Sequence, residues 1–217
     1  MGNDAPADAA VRLLGSLRGR RLLELGCGTG DSSVRFAQQG ATVIGVDASA
    51  DNIARARAAA EAAEIRLELH AGDLADLAFL RADSVDLAFS DGALARVTNL
   101  GRLFHQVHRV LRHGAAFVFS LPHPMTLGTE TEAGPEGGLP LGRTYLTRSY
   151  FDPSPIEVGE DDQALMLTRH TLTEVFTGLS RTGYRVDTLL EPEPPRVQGA
   201  QALLPSAVIW RARKEGS

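Results

Sequence analysis

Through the first 121 residues, short apolar runs alternate with stretches of helical spacing. Pro6 to Arg18 reads as an opening helix, and Arg21-Leu22-Leu23-Glu24-Leu25 as a first buried strand. Ser32 to Gln39 follows as a helix stopped by Gly40, and Thr42 to Val46 as a second strand. Ala50 to Ala63 is alanine-rich and carries Arg55 and Arg57, which favours a helix on propensity alone. In Ile65 to His70 the apolar Ile65, Leu67 and Leu69 alternate with polar neighbours, the period of a third strand. Ser84 to Ser90 is a fourth. Leu100, Leu103, Phe104, Val107, Val110 and Leu111 then recur at helical spacing, with His113-Gly114 as the expected C-cap. Ala115 to Leu121 is a fifth strand. This alternation predicts an α/β protein with a mostly parallel sheet, helices on both faces and right-handed crossovers.

The pattern breaks at residues 122–168, which hold many of the prolines and glycines and no sustained period. A loop of that length inside a compact domain is expected to be a substrate-binding lid. Regularity returns at Thr171-Leu172-Thr173-Glu174, a capping-box pattern, and Leu172, Val175, Phe176 and Leu179 give the helix behind it an apolar face. Gly183 ends that helix. Tyr184 to Leu190 and Ala207 to Arg211 are the last two strands, separated by the rigid Glu191-Pro192-Glu193-Pro194-Pro195 turn. Residues 1–217 are expected to form a single domain.

Composition narrows the function. The chain has 217 residues, 43% hydrophobic and 23% charged, ordinary values for a globular domain. No apolar run approaches the length of a membrane span, and the N-terminus lacks the basic and apolar regions of a secretory signal. The single cysteine, Cys27, excludes an intramolecular disulfide and a cysteine-rich metal site, and it fits a reducing cytoplasm. The histidines show no Glu-x-x-His pattern, so no metal is expected. Net charge is −5, and the arginines are scattered rather than striped, so nucleic acid is not an expected partner. The oligomeric state is left open.

The chemistry centres on Gly26-Cys27-Gly28-Thr29-Gly30, which follows a buried strand and precedes a helix. Glycines there let the backbone turn sharply and approach a ligand. Asp31 stands at the sixth position of the dinucleotide fingerprint G-x-G-x-x-G, which wants a glycine, and a carboxylate is electrostatically wrong beside a pyrophosphate. Asp47 ends the second strand, where a carboxylate accepts from both hydroxyls of an adenosine ribose; the other role open to it is an N-cap or turn aspartate, which Ser49 could serve equally well. Asp73, in Gly72-Asp73-Leu74, is positioned to accept from an adenine amino group. All three features fall at the carboxyl ends of successive strands, where open α/β sheets bind ligands.

Taken in order, these residues resemble the class I S-adenosylmethionine (SAM) dependent methyltransferases. Leu22-Leu23-Glu24-Leu25-Gly26-Cys27-Gly28-Thr29-Gly30 resembles the family's first motif, Val46-Asp47-Ala48-Ser49 its ribose motif and Ala71-Gly72-Asp73-Leu74 its adenine motif. Val85 to Ser90 resembles the fourth motif, and Val107 to Gly114 the helix and turn before strand five. The later part is similar to a bacterial subset, through Pro122-His123-Pro124, Thr171 to Tyr184 and Pro205 with Trp210 to Lys214. That subset carries His-Arg where this chain has Arg169-His170. It also carries a helix ahead of Pro6, so a truncated start or a more open pocket is expected here.

The resemblance implies a Rossmann-like fold with a mostly parallel seven-stranded sheet and a lid after strand five. It implies transfer of a methyl group from SAM to a small-molecule acceptor, with S-adenosylhomocysteine as product. Glu24, Gly26, Cys27 and Gly28 are then expected at the amino-acid end of SAM, Asp47 and Ala48 at the ribose, and Asp73, Leu74 and Ser90 around the adenine. His123 is the first candidate for a general base, since an imidazole titrates near neutrality; shaping its turn or binding substrate are the other roles open to it. His170 is the second candidate, with helix capping as its alternative. Met125, Tyr145, Tyr150 and Phe151 are candidates for an apolar substrate pocket; Glu157, Glu160, Asp161 and Asp162 read as a solvated acidic loop, with attraction of a cationic substrate as the other role open to them. The rival readings are an RNA or protein methyltransferase, for which Arg143, Arg148 and Arg169 would line a groove, a SAM-binding protein without methyl transfer, and a nicotinamide oxidoreductase, against which Asp31 argues.

Overall fold

The computed structural model describes residues 6–131, 144–158, 165–193 and 204–216. Its strands in the main sheet are β1 (Arg21–Leu25), β2 (Thr42–Asp47), β3 (Glu68–Ala71), β4 (Val85–Asp91), β5 (Leu111–Pro122), β10 (Tyr184–Leu190) and β11 (Ala207–Lys214). They form one seven-stranded sheet in the order β10-β11-β5-β4-β1-β2-β3. Every neighbouring pair from β5 through β3 is parallel, and β11 joins β5 and β10 antiparallel. The chain reverses direction across the sheet between β1 and β4, which opens a crevice at their carboxyl ends.

Alternation along the strands builds two cores. Phe117, Phe119 and Leu121 of β5 point to one face with Leu23, Leu25, Ala88 and Trp210; Ala116 and Val118 point to the other with Leu22, Phe89 and Ile209. Helices α4 (Leu100–Val110) and α5 (Leu172–Arg181) cover the first face, bringing Leu103, Phe104, Val107, Val175 and Leu179. The second face is covered by α1 (Pro6–Arg12) and α2 (Asp31–Gln38), with α3 (Ala50–Ala62) beside α2. Phe104 and Trp210 flank Phe119 at ring-centroid distances of 5.8 and 6.4 Å, so the thickest part of the core lies under β5. Burying aromatics of this size contributes roughly 2–3 kcal/mol each.

The structure shifts several expected boundaries. Helix α1 ends at Arg12 rather than Arg18, after which Leu14 and Leu17 continue into the core from an irregular stretch. β3 starts at Glu68 rather than Ile65, because Ile65 N–H still bonds the Ala60 carbonyl and Glu64 adopts a φ of 54°. Gly114 is not the cap of α4: that helix ends at Val110, and Leu111 is already extended and paired with Val85. Pairing resumes at Leu87 with Ala116, so residues 112–115 form an excursion that the φ of 73° at Gly114 permits. Thr171 does cap α5, accepting from Glu174 N–H at 3.1 Å, but the Glu174 carboxylate turns to His170 instead of closing the box.

The segment after β5 is not without secondary structure. It folds as two small hairpins, β6 (Thr129–Thr131) with β7 (Thr144–Leu146) and β8 (Ile156–Val158) with β9 (Leu165–Leu167). A 3-10 turn at Ala93–Arg96, which no periodicity announced, receives Thr168 N–H on the Ala95 carbonyl at 2.6 Å. That bond holds the second hairpin over the carboxyl edge of the sheet.

Candidate functional site

The glycine loop is drawn onto the end of β2. Gly26 and Cys27 both donate to the Val46 carbonyl, at 2.7 and 3.1 Å, and Gly28 N–H donates to Asp47 Oδ2 at 3.0 Å. A β-carbon at Gly26 would lie 2.0 Å from that of Ala93 in the 3-10 turn, so only glycine fits. At Gly28 the same construction meets nothing within 4 Å, and this part of the loop presents bare backbone to open space. The Cys27 sulfur fills the space over Gly45, and burial, reinforced by Glu24 and Asp47, pushes its thiol up to about 12. It is an inert packing group.

Glu24 lies under the loop and is 4% exposed. Its Oε2 accepts from the Ser33 hydroxyl of α2, yet burial outweighs that bond and raises its pKa to about 7. Arg35 lowers it, and Asp91 at the end of β4 raises it further. A carboxyl poised near neutrality next to an open glycine is suited to meet a cationic group.

Asp47 is also buried, and both its oxygens are engaged. Oδ2 takes Gly28 N–H, and Oδ1 takes Ser49 N–H at 2.9 Å and the Asn52 amide at 3.1 Å. Of about four acceptor positions on a carboxylate, three are filled. Ser49, not Asp47, caps α3 through Asn52 N–H. Asp47 therefore couples the loop to the start of α3.

Beyond β2 and β3 lies a cleft of about 300 Å³ lined on one side by Ala48, Asp73, Leu74 and Ala75. Its opposite wall comes from residues 96–99 and Arg102, which the motifs did not mark. Asp73 Oδ1 accepts from Ala75 N–H at 2.9 Å, leaving Oδ2 facing Arg102 at 3.7 Å. Ser90 is sealed beneath the loop, with its hydroxyl donated to the Leu25 carbonyl at 2.7 Å. Its neighbour Asp91 takes the exposed position. Asp91 Oδ1 accepts from Ser120 Oγ at 2.5 Å, and that oxygen accepts from Gly92 N–H at 2.9 Å, a network joining the ends of β4 and β5. The only signal for it was the place of Asp91 directly after Ser90.

The two candidate bases are both occupied. His123 is 5% exposed; its Nε2 lies 2.8 Å from Glu191 Oε1, and its Nδ1 accepts from Met125 N–H at 3.3 Å. That pattern fixes the Nε2–H tautomer and leaves neither nitrogen free for a substrate. The geometry matches the turn-shaping role: His123 N–H also bonds the Ser206 carbonyl, pinning the β5 exit to the segment before β11. His170 donates through Nε2 to the Val97 carbonyl at 2.9 Å and faces Glu174 with Nδ1 at 3.4 Å.

Of the insertion's aromatic candidates, Tyr150 and Phe151 meet edge to face at a ring-centroid distance of 5.2 Å. Tyr145 and Phe151 are exposed, the latter by 80%, and the Tyr150 hydroxyl accepts from Leu172 N–H. Glu157 is exposed, while Glu160, Asp161 and Asp162 lie outside the described residues. Of the three arginines named for an RNA groove, Arg143 lies outside them too, Arg148 donates to the Pro155 carbonyl, and Arg169 is buried. Among the described residues, no helix is long and apolar enough to cross a membrane.

Fold, glycine loop and acid-terminated second strand define a nucleotide-binding class of α/β protein with its cleft at the carboxyl edge. A family model described as a methyltransferase domain matches residues 22–114. The solved structure of an S-adenosylmethionine-dependent methyltransferase from Mesorhizobium loti is similar over 98% of this chain and 100% of its own, with a TM-score of 0.82 and 29% identity. The ubiquinone biosynthesis O-methyltransferase of Nitrobacter winogradskyi is 33% identical over 113 residues, 52% of this chain and 42% of that protein. An uncharacterised protein of Haemophilus influenzae is 31% identical over 187 residues, 84% of this chain and 74% of its own. The chain spans about half the length of the first curated relatives it matches. It belongs to the class I SAM-dependent methyltransferases, whose cofactor is SAM. The residues present fit that cofactor: Gly28 leaves the loop open, Glu24 is an acid beneath it, and the cleft beside Ala48 and Asp73 is adjacent.

Proposed function

We propose that this chain transfers a methyl group from SAM to a small-molecule acceptor. The observation that carries this reading is the open backbone at Gly28, bonded to Asp47 directly before the cleft-lining Ala48, with the buried Glu24 carboxyl on β1, which leads into the loop. In this reading the backbone of Gly26 and Gly28, with Glu24, holds the amino-acid end of SAM, while Asp47 stiffens the loop and offers its remaining acceptor position to the ribose. Ala48 and Leu74 wall the adenine, and the free Asp73 oxygen accepts from its amino group once Arg102 yields. Ser90 and Cys27 act from beneath, by fixing the loop rather than by touching the ligand.

Bound SAM supplies an already activated methyl group. The protein's task is then to position the acceptor in line and exclude water. Since His123 and His170 are committed within the chain, the proposal assigns no general base and places the weight on positioning. Residues 122–168 are the proposed lid, because the Thr168–Ala95 bond holds their second hairpin beside the turn that packs on Gly26. The acidic balance and the absence of an arginine groove among the described residues favour a small molecule over RNA. Several relatives bear small-molecule names, among them the ubiquinone biosynthesis and magnesium-protoporphyrin O-methyltransferases.

The test is to incubate the full chain with isotopically labelled SAM and fractionated small-molecule extracts, then follow S-adenosylhomocysteine and label by mass spectrometry. Label is expected in a small-molecule fraction, with none in tRNA or protein. Label in RNA alone would transfer the assignment to the rival reading, and cofactor binding with no label anywhere would leave only a SAM-binding protein.

A further inference from the structure

Directly after the insertion stands a charge that has no counter-charge among the described residues. Arg169 is 3% exposed, and an arginine side chain stays protonated under all ordinary conditions. It forms no ion pair among the described residues. Nη1 donates to the Ser149 carbonyl and Nη2 to the Leu127 carbonyl at 3.1 Å, while Nε has no partner. Two of the five guanidinium N–H groups are thus engaged, and both acceptors are neutral. Asp152, whose pKa is lowered first by its hydrogen bonds with Ser154 and then by charges that include Arg169, makes no ion pair with Arg169 and accepts from Ser154 N–H instead.

The position is as informative as the missing partner. Leu127 N–H bonds the His123 carbonyl, which ties one acceptor to the exit of β5. Thr168, the preceding residue, is bonded to Ala95 in the turn that rests on Gly26. The guanidinium also packs against Gly128, where a β-carbon would come within 2.7 Å of Nη2. The side chain is therefore held by the segment leaving β5, at Leu127 and Gly128, and by Ser149, one residue beyond the backbone bond to the turn that packs on Gly26. Carbonyl dipoles offset a buried cation only in part, and leaving one uncompensated is strongly unfavourable.

We propose that Arg169 is the receptor for an oxyanion group, a carboxylate or a phosphate, on the methyl acceptor. The inference rests on the proposed function above and narrows its substrate class to anionic small molecules. The unused N–H groups, Nε–H among them, supply the fork that binds two oxygens of one anion side by side. Such an acceptor needs little help from a base when the anion is itself the nucleophile, which agrees with the commitment of both histidines. Arg169 would hold and orient the acceptor without taking part in proton transfer.

The experiment uses the full chain saturated with S-adenosylhomocysteine at constant ionic strength. Acetate, succinate and inorganic phosphate are titrated separately, with succinamide as the uncharged control, and binding is read by calorimetry and by thermal shift. Saturable binding of a carboxylate or of phosphate is expected, none of succinamide, and a loss of roughly tenfold or more in affinity for Arg169→Gln. The separate arms decide which oxyanion is preferred. Arg169→Gln also removes bonds to Leu127 and Ser149, so Gly128→Ala provides a second variant that displaces the guanidinium while keeping its charge, and it too should weaken the anion. A wild-type protein that binds none of the three anions saturably, or variants that bind them unchanged, would overturn the assignment. Because S-adenosylhomocysteine binding is measured first and by itself, its failure would count against the proposed function, and loss of the anion alone only against this inference.

Discussion

Replacing Glu24 by Gln isolates the cost of keeping an acid under the glycine loop. Burial raises this carboxyl from 4.5 to about 7. In the unfolded chain it ionises near its ordinary value, so between those two pH values the folded state binds the extra proton. The stabilisation is therefore fully present below the unfolded pKa and disappears as pH rises through about 7. The shift corresponds to about 3 kcal/mol over the whole window, of which about 2.5 kcal/mol falls between about pH 5 and pH 8. Glutamine has no such dependence, and its oxygen still accepts from Ser33. Urea denaturation of the ligand-free wild type and Glu24→Gln at those two pH values provides the assay. The variant should gain about 2.5 kcal/mol on the wild type between them, a difference that cancels any fixed cost of burying the amide. It should also bind SAM roughly tenfold or more weakly, since the acid is retained for the ligand rather than for the fold. A stability difference unchanged across the pH range would refute the reasoning.

Three further outcomes follow from the same geometry. Gly26→Ala should destabilise by about 3 kcal/mol or more in chemical denaturation, because its β-carbon meets Ala93 at 2.0 Å on a backbone with φ 77°. Cys27 should resist alkylation at mildly alkaline pH in the native protein and react as soon as urea unfolds it, since its thiol is buried and pushed up to about 12; rapid native-state alkylation would contradict this. Glu191→Ala should lower stability by only about 1 kcal/mol, because Glu191 is 44% exposed and solvent screens the pair, while SAM affinity stays unchanged by calorimetry.

The strands and the cofactor loop were legible in the sequence because each depends on local order. β1 begins and ends where its apolar run does, and Gly26, Gly28, Asp47 and Asp73 fall at strand ends that periodicity alone locates. Partners distant in the chain were not legible. His123 looked like a free base because Glu191 stands 68 residues away, and nothing in Pro122-His123-Pro124 announces that pairing. Arg169 attracted notice only as one cation among several; its burial emerges from Leu127 and Ser149, 42 and 20 residues distant. The far wall of the cleft was missed because residues 96–99 end a short 3-10 turn and link it to α4, a stretch with no period of its own. Gly114 misled for a related reason: a left-handed glycine after a helix usually marks its cap, whereas here it shapes an excursion within β5.

The central claim is that the surface over Gly28 receives SAM, and calorimetry of the wild type and Gly28→Ala tests it most directly. A β-carbon at Gly28 touches nothing in the protein, so this variant should fold with only about 1 kcal/mol of backbone strain from its φ of 53°. Wild-type protein should bind SAM and S-adenosylhomocysteine one to one and ignore NAD, and the variant should lose roughly tenfold or more of that affinity. A wild type that binds neither sulfur compound, or a folded Gly28→Ala that binds both as tightly as wild type, would contradict the account.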